Sequence, residues 1–130
     1  MISIIYGGNQ SGVCFDLYQS ILQKINKDNT HIFNLQQMDL PLILENGYYS
    51  ELTKQQKHII NTLNESEILI FIYPLYWFNV PPIMKSFIDQ AFWPENAFSL
   101  RESNILKRGY GKIKRQSFCT HREGQKFFTN

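Results

Sequence analysis

Apolar runs and helical stripes alternate along this chain, and most are closed by a turn rich in Gly, Pro or Asn. Ile2 to Tyr6 reads as a short apolar strand. YGGNQSG follows it, and then Val13, Leu17, Ile21 and Ile25 recur every fourth residue, the spacing of one helix face. His31 to Asn34 reads as a second strand, and Asp39 in the NLQQMDLPL stretch after it reads as a turn residue. In TKQQKHIINTL, Thr53 to Leu63, residues Ile59, Ile60 and Leu63 share one face. Lys54, Gln55, Lys57 and His58 fall largely on the other, so the segment is an amphipathic covering helix with His58 solvated. Ile68 to Tyr73 carries no polar interruption, as a strand covered on both faces does. Pro74 ends that strand, Pro81 and Pro82 suit the first turn of a helix, and Met84, Phe87, Ile88 and Ala91 continue it. Strand and helix alternating three times predict an α/β fold, a doubly wound parallel sheet in one domain over residues 1–130.

Two turns in this pattern carry candidate chemistry. Leu75, Tyr76, Trp77, Phe78 and Asn79 join the third strand to its helix at the carboxyl end of the strand, where open α/β sheets bind ligands. These rings either sandwich a planar ligand or belong to the core or a subunit interface. The strand, Gly-rich turn and helix at the start of the chain have the form of a phosphate cradle, in which free N–H groups and the positive end of the helix bind an anion without a basic side chain. Ser11 and Gly12 are the foremost contacts, beside Asn9 and Gln10. The same turn, capped by Asn9 or Ser11, is also ordinary helix-start chemistry.

The stretch PLYWFNVPPIMKSFIDQAF resembles the loop and helix of the flavodoxin-like NAD(P)H:quinone reductases, a family that includes the mammalian quinone reductase, modulator-of-drug-activity proteins and potassium-efflux ancillary oxidoreductases. The resemblance implies a sheet of strand order 2-1-3-4-5 and a bound FMN or FAD. It gives Pro74, Leu75, Tyr76, Trp77 and Phe78 the role of supplying main-chain N–H groups and an aromatic wall to the isoalloxazine. FWPENAF, Phe92 to Phe98, is similar to an F-x-x-x-F-A-Y stretch of the family, with Asn96 in place of an aromatic. Gly12-Val13-Cys14 stands where the family usually has Ser-x-Asn. The implied reaction is hydride transfer from NAD(P)H to the flavin and then to a quinone or similar small acceptor, by a ping-pong mechanism. The resemblance assigns no catalytic side chain. It further implies a homodimer, with Phe92, Trp93 and Phe98 near the interface, or, in the ancillary members, docking on a membrane transporter. An inactive remnant of such an enzyme is the other alternative.

Composition sharpens the picture at one end only. With 43% hydrophobic and 15% aromatic residues, 130 residues can bury a single core. The longest uncharged run, Ile68 to Met84, holds three prolines, which predicts no membrane span, and a cytoplasmic location is the default. Cys14 and Cys119 match no disulfide or metal spacing, and no metal ligand is assigned. Residues 1–106 carry six basic against ten acidic side chains, whereas residues 107–130 carry seven against one. A basic tail of this kind seeks nucleic acid or anionic lipid, yet no nucleic-acid-binding fold is recognisable and no such partner is expected. THREG, Thr120 to Gly124, sits where the family places its third flavin loop, which makes Thr120 a candidate contact. RQSFCT before it is a poor buried parallel strand. A shifted reading frame permits LWKDKKAILLYTPGGP from Gly109 onward, which resembles the family's fourth strand and third loop. The expectation is therefore a truncated or frameshifted end after about residue 108, an anomalous tail over 109–130, and no fifth strand or closing helix.

Overall fold

The computed structural model describes residues 1–93, apart from the side chain of Tyr49, and beyond them the backbone of strands 98–100, 106–108, 115–122 and 125–129. Strand β1 (Ile2–Tyr6) leads to helix α1 (Val13–Lys24) and strand β2 (Thr30–Asn34). Helix α2 (Lys54–Glu65), strand β3 (Ile68–Pro74) and helix α3 (Pro82–Ala91) follow. The remaining strands are β4 (Phe98–Leu100), β5 (Leu106–Arg108), β6 (Arg115–Arg122) and β7 (Gln125–Thr129). The main sheet has the order β2-β1-β3-β6-β7, and β4 and β5 form a separate antiparallel pair. β1 lies parallel to both β2 and β3, with Ile4 opposite Ile32 on one side and Ile70 on the other.

Residue alternation along β1 divides the core. Ile4 and Tyr6 pack with Ile72 against Tyr18 of α1, while Ile5 joins Phe33, Leu69 and Phe71 against Ile59 and Leu63 of α2 and Met84 and Phe87 of α3. One helix therefore covers one face and two cover the other, as parallel crossovers require. Each such fully buried aliphatic side chain is worth roughly 1.5–3 kcal/mol of transfer free energy. The helix boundaries follow from caps. Thr53 and Gln56 form a reciprocal capping box at the start of α2, and Pro82 occupies the first turn of α3. On α1 the buried contact is Tyr18, with Leu17 and Ile21 beside it. Val13, the first residue of the expected stripe, is half exposed because it opens the helix beneath the Gly-rich turn.

RQSFCT, which reads as a poor buried parallel strand, lies in β6, and β6 pairs in parallel with β3 from Ile68 opposite Arg115 to Pro74 opposite His121. The open edge of β3 is satisfied by main-chain donors and acceptors, which any extended segment supplies whatever its side chains. The last strand, β7, runs antiparallel to β6, so among the described residues no fifth parallel strand is present. Among the described residues no helix follows α3. No described helix is long and apolar enough to cross a membrane. Phe92 lies against the core, and Trp93 meets Tyr48 edge-on at 4.9 Å. Residues 94–97 of the FWPENAF stretch, and the side chain of Phe98, lie outside the described residues.

Candidate functional site

β1 and β3 are neighbours, so the turns after them emerge side by side. The Gly7 N–H donates to Ile72 O at 2.9 Å and extends the ladder by one bond before the chain leaves the sheet. Gly8 comes next, in a position where a Cβ would stand 2.7 Å from the Tyr6 hydroxyl. That phenol occupies the space a side chain would need and donates to the Asn9 carbonyl. Its ring is held by stacking on Tyr18, with centroids 4.2 Å apart and planes 6° from parallel. From the turn after β2, Gln36 Nε2 donates to Gly8 O at 2.7 Å. At the far end of the turn Gly12 takes φ +88°, a region open to glycine, and immediately precedes α1. Nothing lies within 4 Å of where its Cβ would be, and it offers no side-chain cap to the helix.

The facing wall is a two-residue hairpin. The Tyr76 N–H donates to Asn79 O at 2.9 Å, and the Asn79 N–H returns to Tyr76 O at 3.0 Å. Between them Trp77 has φ 50° and Phe78 φ 64°, the signs of a type I′ turn, which Asn-Gly normally fills. Placing two aromatic residues in the left-handed region costs roughly 1–2 kcal/mol apiece. Burial does not offset this cost, because Trp77 is 95% and Phe78 73% exposed. The core alternative for these rings is thereby excluded. Asn79 Oδ1 accepts the Val80 N–H at 2.8 Å and leads the chain into α3.

Together the two turns enclose a cleft of about 700 Å³. Asn9, Ser11 and Gly12 line one side, with Val13 and Cys14 of α1, and Pro74 to Phe78 line the other. Of the sequence candidates, Gln10 belongs to the turn without lining the cleft. Thr120 lies in β6 opposite Tyr73, at the carboxyl end of the strand and not in a loop; its side chain is outside the described residues. Across the mouth the Tyr76 hydroxyl stands 3.4 Å from Asn9 Oδ1. The hairpin also restricts which main-chain donors are available. Pro74 has no N–H, and that of Tyr76 is committed to Asn79. Among the described residues no Lys, Arg or His lines the cleft, which leaves main-chain N–H groups and the start of α1 as the described anion-binding elements. Tyr6, Gln36 and the left-handed turn were not singled out from sequence. Tyr6 reads there as one more strand residue, and Trp-Phe carries no turn signal.

A profile of the flavodoxin-like fold family matches residues 2–129. The chain belongs to that family. Its curated relatives include the human ribosyldihydronicotinamide dehydrogenase (quinone), 31% identical over 72 residues, and the rat protein of the same name, 33% identical over 74. Each match covers 55% of this chain and 29% of the relative, so the aligned part is under a third of those proteins. Among solved structures, an FMN-dependent NADH-azoreductase from Bacillus anthracis in complex with FMN superposes with a TM-score of 0.70 at 18% identity, covering 92% of this chain and 67% of that one. An NAD(P)H:quinone oxidoreductase from Methanothermobacter marburgensis gives 0.69 at 15% identity, covering 92% and 63%. At these identities the superpositions speak for the flavodoxin-like fold.

Proposed function

We propose that the chain is a flavin-dependent NAD(P)H:quinone reductase that seats FMN in the cleft between the Gly7–Gly12 turn and the Tyr76–Asn79 hairpin. The observation that carries the reading is the hairpin itself. Two aromatic rings are held open to solvent in a strained turn, across a cleft from a helix start without a side-chain cap. Strain kept at a concave surface is a mark of a ligand site. The residues fit a flavin mononucleotide. Gly12 leaves open space for a phosphate at the start of α1, and Ser11 adds a hydroxyl. Trp77 and Phe78 offer faces to a planar ring system, and Leu75 and Pro74 close the floor beneath it. The quinone dehydrogenase names of the relatives and the FMN complex among the solved structures favour this chemistry and favour FMN over FAD.

When bound, the flavin would supply the two-electron chemistry, taking hydride from NAD(P)H and passing it to a quinone. The protein's part is to hold phosphate with main-chain dipoles, to exclude water from one ring face with Trp77 and Phe78, and to leave a slot that donor and acceptor enter in turn. No side chain of the cleft is assigned a proton-transfer role. Rapid mixing of the FMN-loaded protein tests the reading: NADH or NADPH should bleach the bound flavin, a quinone should restore its colour, and double-reciprocal plots should be parallel. Bound flavin that neither nicotinamide reduces would contradict it.

A further inference from the structure

We propose that Tyr6 and Gln36 are positioning residues that lock two successive peptide planes of the first turn, so that both carbonyl oxygens are held away from the cleft and the Asn9 N–H faces outward as a donor to a phosphate. This inference rests on the flavin reading above and adds to the start of α1 an anion-binding element built from elsewhere in the fold.

The geometry follows from the planarity of the peptide unit. In a trans peptide the C=O of one residue and the N–H of the next point in opposite directions, and none of the described peptide bonds is cis. The Gly8 carbonyl is held by Gln36 Nε2 at 2.7 Å, on the β2 side of the turn. The Asn9 N–H must therefore point away from β2. The Asn9 carbonyl is held from below by the hydroxyl of Tyr6, a residue only 1% exposed, so the Gln10 N–H must point away from the interior. Among the described residues neither N–H donates to another protein group. Both planes are fixed by side chains that are themselves fixed or reach from a separate loop. The Tyr6 ring cannot swing without giving up its stack on Tyr18, and it reaches the turn only because Gly8 has no Cβ.

Charge explains why such bracing matters. A phosphate monoester brings close to two negative charges, and among the described residues no basic side chain lines the cleft. Main-chain N–H groups at successive positions can make an anion-binding concavity, but only if their peptide planes do not rotate to present carbonyl oxygens instead. Left to itself, a turn of Gly, Gly and Asn samples both orientations. A carbonyl held inward by a hydrogen bond removes the repulsive orientation. The effect would be selective for the phosphate end of a flavin, because the residues that would hold the ring system belong to the hairpin on the opposite wall.

Tyr6→Phe keeps the stacked ring and deletes only the donor, while Gln36→Ala alters an exposed side chain and leaves the core untouched. Parent and variants are titrated with FMN and with riboflavin, which lacks the phosphate. The parent should prefer FMN, and that preference should fall roughly 3- to 10-fold in each variant, the worth of one hydrogen bond, with riboflavin affinity nearly unchanged. Equal losses for both flavins, or no loss for either, would overturn the proposal. A second readout needs no flavin: inorganic phosphate added to the isotope-labelled protein should shift the amide resonances of the turn, that of Asn9 foremost, and shift them less in Tyr6→Phe. Silent amides in a parent that binds FMN and riboflavin equally reject this inference and spare the flavin reading. Responsive amides in a protein that binds neither flavin reject the flavin reading and spare this one.

Discussion

Trp77 shows how a single position can oppose stability to function. Its side chain is almost wholly exposed and its backbone is left-handed, so Trp77→Gly loses no burial and relieves roughly 1–2 kcal/mol of strain. Glycine gives back roughly 0.4–1 kcal/mol through the freedom of the unfolded chain. Thermal unfolding should therefore show the variant as stable as the parent or more so, while its FMN affinity falls. Trp77→Ala should weaken FMN by a factor of about 2 to 13, the value of one stacked ring. A marked drop in melting temperature for Trp77→Gly would mean that the ring is structural. Tyr6 makes a prediction about pH. Burial above all, and then the proximity of Cys14, Tyr18, Tyr76 and Asp16, push its phenol up from 10.0 to about 12. A group raised in the folded state contributes fully below its unfolded value and loses that contribution as pH rises through the folded one. Between pH 10 and about 12 the parent should lose stability more steeply than Tyr6→Phe, as measured by denaturant unfolding; parallel curves would contradict the shift.

At the scale of elements, α3 holds the turn region after β2 as well as the core. Gln90 is buried, accepts from Gln56 Nε2 at 2.5 Å and places its own amide 3.3 Å from the Pro41 carbonyl, which Ser86 Oγ also reaches at 2.7 Å. Gln90→Ala leaves the Gln56 amide short of a partner, a cost of roughly 1–3 kcal/mol. It also loosens the stretch that carries the exposed Leu42 and Ile43, so limited proteolysis should cut there faster than in the parent; unchanged cleavage would show that Ser86 alone secures it. The three helices and first three strands were legible because each writes a period into the sequence: Ile59, Ile60 and Leu63 on α2, and the unbroken run of β3. The capping box of Thr53 and Gln56 at the start of α2 was not singled out from sequence. The Trp77–Phe78 hairpin was not legible as a turn. Its conformation is fixed by the Tyr76–Asn79 bonds and the anchoring of β3 and α3, and local preference argues against it. β6 was poorly legible for a related reason. The side chains of RQSFCT argue against a central strand, but the edge of β3 pairs with a main chain.

For the whole molecule, the sheet order placed the two candidate turns together, an order that the family resemblance implied. Strands β1 and β3 are adjacent because the chain crosses from β2 over β1, so Asn9, Ser11 and Gly12 must meet Pro74 to Phe78 at one end of the sheet. The bracing of that cleft was hidden, since Tyr6 and Gln36 act through contacts that only the folded chain creates. The central claim is that this cleft is a flavin site, and the most direct measurement is an equilibrium titration of the purified chain with FMN, followed by flavin fluorescence and absorption. The account predicts saturable binding of one flavin per chain, with the ring emission quenched against Trp77 and the affinity reduced by Trp77→Ala. A well-folded chain that leaves FMN fluorescence unchanged across micromolar concentrations would contradict it.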